Sequence, residues 1–443
     1  MKLLFMTGTA GRDKLMIALA KELKQQGLKF EEHYIAQDKT NVYHLMNQNI
    51  PKKRIHQIFF MEEAERYDKK DIIRAEQEHD LELWAAWTTT AYRKEKRQRL
   101  PLKKIYKMFA YTINRTEKLL NHLKPDILVC YGTDSYDKII INKIARSKGT
   151  KLLELVQARI RDRFVIVDNL KDDWKLKKPS RESIEKAKTF IEEFKKNPVK
   201  AQSEDDYQRE YLKPFIEWVM MNIRERRIPH DTERIRAYFK GKVDLKHFDS
   251  PMEEKYILLP LHYQPEISTL WYGRYQNDQV GFIRNVAKKL PFGYMLYVKE
   301  HTLCFGNRPK DFYDKLKKIP NVRLISPYAH TFDLVKTCSL VVTITSTLGF
   351  EALMLGKPVI SFGDVYYKAC SEVVNASNIY KDEINVSNMK VNPKKVESFV
   401  ASIFETSYDG LVACPTDCAG ICLEKGNIKK LARGVVKHVY EIY

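Results

Sequence analysis

Little in this 443-residue sequence suggests a disulfide framework, a membrane span or a standard catalytic signature. There are only seven cysteines, an odd number scattered along the chain, which excludes a fully paired disulfide scaffold and fits reduced thiols. Cys414, Cys418 and Cys422 recur every four residues, which is not the C-x-x-C spacing of a zinc site. No apolar stretch approaches the ~20 residues that a membrane-crossing helix needs. The opening MKLLFMTGTAGRDK passes at once from a short apolar run into a glycine turn, so it reads as a buried first strand and not as a signal peptide. The cytoplasm is the expected compartment. Internal repeats and low-complexity tracts are missing. So are H-E-x-x-H, G-x-S-x-G, the protein-kinase set, a P-loop Lys-Ser/Thr and a complete G-x-G-x-x-G. No Asp-x-Asp stands at a strand end, and Glu204-Asp205-Asp206 falls in a helical stretch, so no metal is expected. Acidic residues are in deficit, 57 against 77 basic, for a formal net charge of +20. That balance favours anionic partners: nucleic acid, lipid headgroups or phosphorylated substrates.

What is present is an alternating α/β chain. Apolar residues make up 44% and charged residues 30%, and the length suits two domains. The first quarter runs strand (2–6), glycine turn (Gly8, Gly11), then helix to Gly27. A helix over about 108–123 leads through Pro125 into DILVCYG, a continuous apolar run expected of a buried parallel strand. A helix over about 136–148 and the strand KLLELV follow. Residues 170–250 are charged, helical in period and poor in strand signals, so they read as a helical insertion or linker. A second alternation starts at YILLPL (256–261) and continues through YMLYVKEH, VRLIS, LVVTIT and PVISFG, with helices between. The fold class is therefore α/β, with two facing Rossmann-like domains and a cleft between them. The expected domains are 1–169, the insertion 170–250, and 251–426, with a last helix over 427–441 packing back on the first. Ligands are expected at the carboxyl ends of the strands.

The motifs are read at those strand ends. In TITSTLGFEALMLGKPVISFG (343–363), Ser346 and Thr347 stand between a strand and a helix start. Free amides, two hydroxyls and a close backbone approach at Gly349 make an anion site, and Glu351, just over one turn on, can accept from sugar hydroxyls. The alternative is that Ser346 only caps the helix and Glu351 is a solvated acid. His301, with Lys299 before it and Arg308 after it, follows the next strand and can donate to a leaving phosphate, or is a surface-loop histidine. Gln264, Glu266, Ser268 and Thr269 cluster at a proline turn that either faces the cleft or caps a helix. In the first half, Gly11, Arg12 and Asp13 follow one buried strand and Asp134 follows another. Asp13 and Asp134 are the candidate general bases for an acceptor hydroxyl, or they are helix caps. Arg159, Arg161 and Arg163 alternate, so on one strand they would share a face and bind an anion, or form a solvated edge. The basic stretch RKEKRQRLPLKKIYK (93–107) suits an anionic membrane surface or a solvated helix face.

Taken together, LPLHYQPEIST, LYVKEHT, FYDKLKKIPNVRLISPYAHTFDLV and TSTLGFEALMLGKPVISFG, in that order, resemble the capsule polysaccharide biosynthesis family of glycosyltransferases. That family includes Kdo transferases, and its members look like GT-B enzymes. The resemblance is strong over 256–367 and looser before it, through HDLELWAAWTTTAYR, KPDILVCYGTD and RIRDRFVIVDNLKDDW. It implies a nucleotide sugar in the second domain and a glycan or lipid-linked acceptor in the first. It also implies His301 and the Ser346-Thr347 turn on the donor phosphate, and Glu351 on the nucleotide sugar hydroxyls. Many relatives have His-Pro where this chain has His301-Thr302, which leaves the donor open among CMP-, UDP- and GDP-sugars. The expected reaction is inverting glycosyl transfer with no cofactor beyond the donor. Two rivals stand beside it. A non-hydrolysing UDP-sugar 2-epimerase shares the shape, and the net charge allows a noncatalytic nucleic-acid or polymer-binding protein.

Overall fold

The apolar runs LLFM, ILVC and YILLP lack a polar-apolar alternation because both of their faces are covered. Leu3, Leu4, Phe5, Ile127, Leu128, Ile257 and Leu258 are all fully buried in the computed structural model of the chain. Strands buried on both faces belong to parallel sheets sandwiched by helices. The structure describes residues 1–8, 12–36, 39–58, 67–94, 100–160, 162–168, 173–198, 244–376, 384, 386, 389–412 and 421–442. Most of the expected helical insertion (199–243), Cys414 and Cys418, Gly11, Arg161 and part of the basic stretch (95–99) lie outside them.

The first sheet contains β1 (Lys2–Met6), β2 (Glu31–Ala36), β3 (Ile55–Gln57), β4 (Ile127–Cys130), β5 (Lys151–Gln157), β6 (Arg163–Val167) and β13 (Tyr408–Asp409), in the spatial order β13-β6-β5-β4-β1-β2-β3. β1 to β5 pair in parallel, whereas β6 runs antiparallel to β5 and to β13. The second sheet contains β7 (Tyr256–Pro260), β8 (Met295–Lys299), β9 (Val322–Ile325), β10 (Leu340–Thr343), β11 (Val359–Ser361) and β12 (Val373–Asn375), in the order β12-β11-β10-β7-β8-β9, all parallel. Each sheet is therefore Rossmann-like. Each reverses direction once, between β1 and β4 in the first and between β7 and β10 in the second. Such switch points open a crevice at the strand ends.

The chain divides into two units, Met1–Lys177 with Thr406–Tyr443, and Lys178–Glu405. The helix Lys425–Ile442 belongs to the first. Its Leu431, Val435 and Val439 join Leu15, Met16, Leu19 and Leu23 of the helix Arg12–Gln25 in one apolar core. Residues 406–426, expected in the second domain, belong to the first unit. Arg163 explains part of this: its guanidinium donates to Ser407 Oγ (2.7 Å), Ser407 O (2.6 Å) and Asp409 (2.5 Å), stitching β13 to β6. The helix Arg181–Lys196 belongs to the second unit, where Phe194 packs edge-on against Phe332.

Candidate functional site

The second unit's switch point is organised by a histidine that the sequence reading passed over. His262 stands two residues past the end of β7 and is 5% exposed. Its backbone N–H donates to Gln279 Oε1 at 2.9 Å, and its carbonyl accepts from an Arg308 Nη2 at 3.0 Å. Its ring crosses to the neighbouring strand end, where Nε2 accepts the Thr345 N–H at 3.0 Å. Burial, helped by the nearby positive charges of His301 and Arg308, pushes the imidazole down to about 3. The ring is therefore neutral at physiological pH, with its proton on Nδ1, the tautomer that leaves Nε2 free to accept. The turn after β10 is also held from within. Thr343 Oγ1 accepts the Ser346 N–H (2.9 Å), Ser346 Oγ accepts the Leu348 N–H (3.2 Å), and Tyr367 donates its hydroxyl to Ser346 O (2.8 Å).

Over this turn lies a cleft of about 80 Å³. At the ~10–15 Å³ that a single water needs, it has room for roughly half a dozen waters. Lys299, His301 and Thr302 line it from the end of β8, and Ser346, Thr347 and Glu351 line it from the end of β10 and the helix Leu348–Met354. Pro260 and Leu261 form its apolar side. Glu351 is 3% exposed and Lys299 is 6%, so both charges are held against the protein and not in bulk water. The Lys299 ammonium donates to Pro327 O at 3.2 Å. The hydroxyls of Thr302, Thr331, Ser346 and Thr347, an imidazole, an ammonium and the Glu351 carboxylate thus share one small concavity, which suits a phosphate beside a hydroxyl-bearing group.

Four expected donor residues are not on these walls. Arg308 is buried, and its guanidinium grips Glu300 through two bonds (3.0 and 2.6 Å), with Tyr313 donating to the same carboxylate at 2.7 Å. Burial alone would lower the Arg308 pKa, but the Glu300 carboxylate more than offsets this and the net shift is upward. Arg308 is a strut under the strand ends. Gly349 serves packing and not ligand approach: a Cβ there would meet Tyr367 Oη at 2.6 Å. Gln264 donates to Asn277 O (3.0 Å), and the exposed Glu266 accepts from Ser268 (2.7 Å), so both side chains bond within the protein. The anion pocket of bare amides is corrected as well, since the N–H groups of Thr345, Ser346 and Leu348 already have acceptors.

In the first unit, the expected acids stand at the β1/β4 switch point. Asp134 pairs with the buried Lys138 at 2.6 Å. Asp13 is buried, accepts the Lys14 N–H (2.8 Å) and bonds the imidazole of His44. Nothing in the sequence spacing marked His44, 31 residues downstream of Asp13. Arg159 and Arg163 do not share a strand face. A hairpin with Asp162 at φ 56° separates them, and Arg163 is occupied by Ser407 and Asp409. The Nε and Nη1 of Arg159 are buried without a hydrogen-bond partner. The side chain of Arg12 is not among the described ones. Among the described residues, Glu78, His79 and Glu117 form a metal-type ligand group, but Arg74 is bonded to both carboxylates and fills the place of a cation. No described helix is long and apolar enough to cross a membrane.

Comparison with known proteins adds three findings. Residues 231–371 match the sequence model described as capsule polysaccharide biosynthesis protein. No curated protein matches the chain. Solved structures similar to it include two titled Thermosulfurimonas dismutans KpsC. The beta Kdo 2,4 transferase has 16% identity and a TM-score of 0.39, over 65% of this chain and 82% of that one. The beta Kdo 2,7 transferase has 14% identity and a TM-score of 0.37, over 74% and 89%. The UDP-GlcNAc 2-epimerase from Methanocaldococcus jannaschii has 16% identity and a TM-score of 0.24, over 91% and 100%. Superpositions this loose do not bear on function. The matched segment contains the whole cleft, from Pro260 to Glu351, so this part of the chain is similar to capsule polysaccharide biosynthesis proteins.

Proposed function

We propose that the protein is a glycosyltransferase that moves a sugar from a nucleotide-activated donor to a hydroxyl of a surface or capsular glycan. One observation carries the reading. Lys299, His301, Ser346, Thr347 and Glu351 share a single cleft beside the β7/β10 switch point, inside the segment that matches the family. In this reading Lys299 and His301 hold the donor phosphate, joined by the Ser346 and Thr347 hydroxyls. Glu351 accepts from hydroxyls of the nucleotide sugar. Fixed donors and cations aimed at the leaving phosphate stabilise the charge that develops as the anomeric C–O bond breaks. The acceptor oxygen attacks in line and inverts the anomeric centre. The leaving-group charge is assigned to these side chains and not to a metal. Arg159, with its unpartnered guanidinium nitrogens, is the residue we assign to an acidic group of the acceptor. The net charge of +20 favours a lipid-linked acceptor met at an anionic membrane surface on the cytoplasmic side.

The test is a thermal-shift screen with CMP, UDP and GDP. A ligand at 100 times its Kd adds about 2.7 kcal/mol to the folded state. One of the three nucleotides is expected to raise the Tm, and Ser346→Ala and Glu351→Gln are expected to abolish most of that rise. A null response to all three contradicts the donor site. A nucleotide sugar epimerised without any acceptor would assign the chain to the epimerases instead.

A further inference from the structure

We propose that one face of the first unit, centred on Trp84, Tyr106 and Leu102, docks the chain on an anionic bilayer. This deepens the membrane contact of the preceding reading and rests on it, but it needs nothing from the donor cleft. The helices Lys69–His79, Leu83–Lys94 and Leu102–Leu123 build the face. The second of them carries two tryptophans, three residues apart, at different depths. Trp87 is buried and packs edge-on against Phe109 and Tyr136. Trp84 meets Tyr106 and Phe109 edge-on, at ring distances of 6.2 and 5.9 Å. Tyr106 continues the face: the Lys69 ammonium stands 5.2 Å over its ring, and the Tyr67 ring lies 6.1 Å away. Leu102 lies one turn before Tyr106 on its helix, and Ile73 one turn after Lys69 on the other. Trp84, Leu102 and Ile73 are each more than half exposed. Scattered singly, such side chains are ordinary; a contiguous group with a polar rim marks a contact surface.

The rim is mainly positive. Among the described residues Lys69, Lys103 and Lys107 have no carboxylate partner. Acids on the same helices are already engaged: Asp68 caps the Lys70 N–H (2.9 Å), and Glu117 pairs with Arg74 (3.0 Å). Glu82, just before the second helix, pairs with Lys143 (2.7 Å). Asp71, two residues past Lys69, lies off this face of its helix. An acid is favoured in the first turn of a helix, yet the helix Leu102–Leu123 has none there and carries Lys103 and Lys104 instead. That choice disfavours the helix and favours an anion outside it. Tryptophan and tyrosine concentrate at the level of lipid headgroups, where lysines meet anionic phosphates. A protein partner fits less well, because lysine is depleted from protein interfaces. An RNA strand would use the lysines and rings but leave Leu102 and Ile73 in water.

Vesicle co-sedimentation of the full-length chain tests this, with phosphatidylcholine alone and with phosphatidylglycerol added. Binding is expected only to the anionic vesicles and is expected to fall as salt rises. Lys103→Gln and Lys107→Gln should each weaken it about fivefold. Leu102→Glu changes an exposed side chain at a place where an acid suits the helix, so its Tm should hold while vesicle binding falls about tenfold. The emission difference between the wild type and Trp84→Phe isolates that ring, and it should shift to the blue when anionic vesicles are added. A wild type that binds, with both the lysine and the Leu102→Glu variants binding equally well, overturns this face and leaves the membrane contact standing. A wild type that ignores both kinds of vesicle overturns the two together. If it ignores vesicles but forms a dimer that Leu102→Glu breaks, or binds RNA through Lys103 and Lys107, the face belongs to that partner and the proposal falls. The nucleotide screen is read apart from this: no Tm shift, with vesicle binding that depends on the face, contradicts the donor site and not the docking surface.

Discussion

Lowering the pH should loosen the second unit at one identifiable place. His262 is buried as a neutral ring whose Nε2 is an acceptor for the Thr345 N–H. Its folded pKa is held near 3 by burial, against 6.5 when free. A depressed histidine pKa means that the unfolded chain binds the extra proton first. The stabilisation is therefore fully present above about pH 6.5 and drains away as the pH falls towards 3. Each pH unit inside that window costs about 1.4 kcal/mol, so acidification from pH 7 to pH 5 costs about 2 kcal/mol at this one group. His262→Gln removes the titration while keeping an oxygen that can accept from Thr345. The assay is hydrogen exchange of peptides covering β7 and β10 in both proteins at pH 7 and pH 5, compared as protection factors. All other titrating groups cancel in the double difference. The variant is expected to lose about 2 kcal/mol less protection than the wild type between the two pH values. Equal losses would refute the idea that a buried, neutral His262 holds the switch-point turn.

Three further outcomes follow from the same geometry. Gly349→Ala should destabilise the second unit by about 1–3 kcal/mol, because the new Cβ meets the fully buried Tyr367 ring, and Tyr367→Leu in the same chain should recover part of it, as read by thermal melting. Arg308→Met should cost about 3–5 kcal/mol by stranding the Glu300 carboxylate, whereas adding Glu300→Gln should restore much of the loss. If Arg308→Met instead left stability intact and removed only nucleotide binding, its role as a strut would be wrong. Flotation with anionic liposomes should carry the protein upward at low salt and release it at high salt, and a protein that stays in the soluble fraction throughout contradicts the membrane contact.

Much of the fold was legible because fully buried parallel strands leave uninterrupted apolar runs. YILLP, LVVT and ILVC announce themselves with no reference to any partner. β3 and β13 did not, since IHQ and YD carry no such run and are defined only by the strands they meet. The cleft was partly legible for the same reason: chemistry placed at strand ends by sequence stays there in three dimensions, as Lys299, His301, Ser346 and Glu351 do. What local sequence cannot encode is which side chain a long-range partner has already taken. Arg308 reads as an available cation until Glu300 and the His262 carbonyl are seen to occupy it. Gly349 reads as an approach for ligand until Tyr367 is found against it, 18 residues away in the chain. His262 and His44 were missed for the converse reason. Each stands beside a strand end or on a helix face with no motif around it, and acquires meaning only from Thr345 and Asp13.

The central claim is that the cleft at the end of β8 and β10 holds the donor phosphate. Its most direct measurement is a crystal structure of the chain soaked with the nucleotide that gives the largest Tm shift. Phosphate density is expected within hydrogen-bond distance of Lys299, His301 and Ser346, with the ribose against Glu351. Density for the nucleotide elsewhere, with this cleft unchanged and filled by its own side chains, would contradict it.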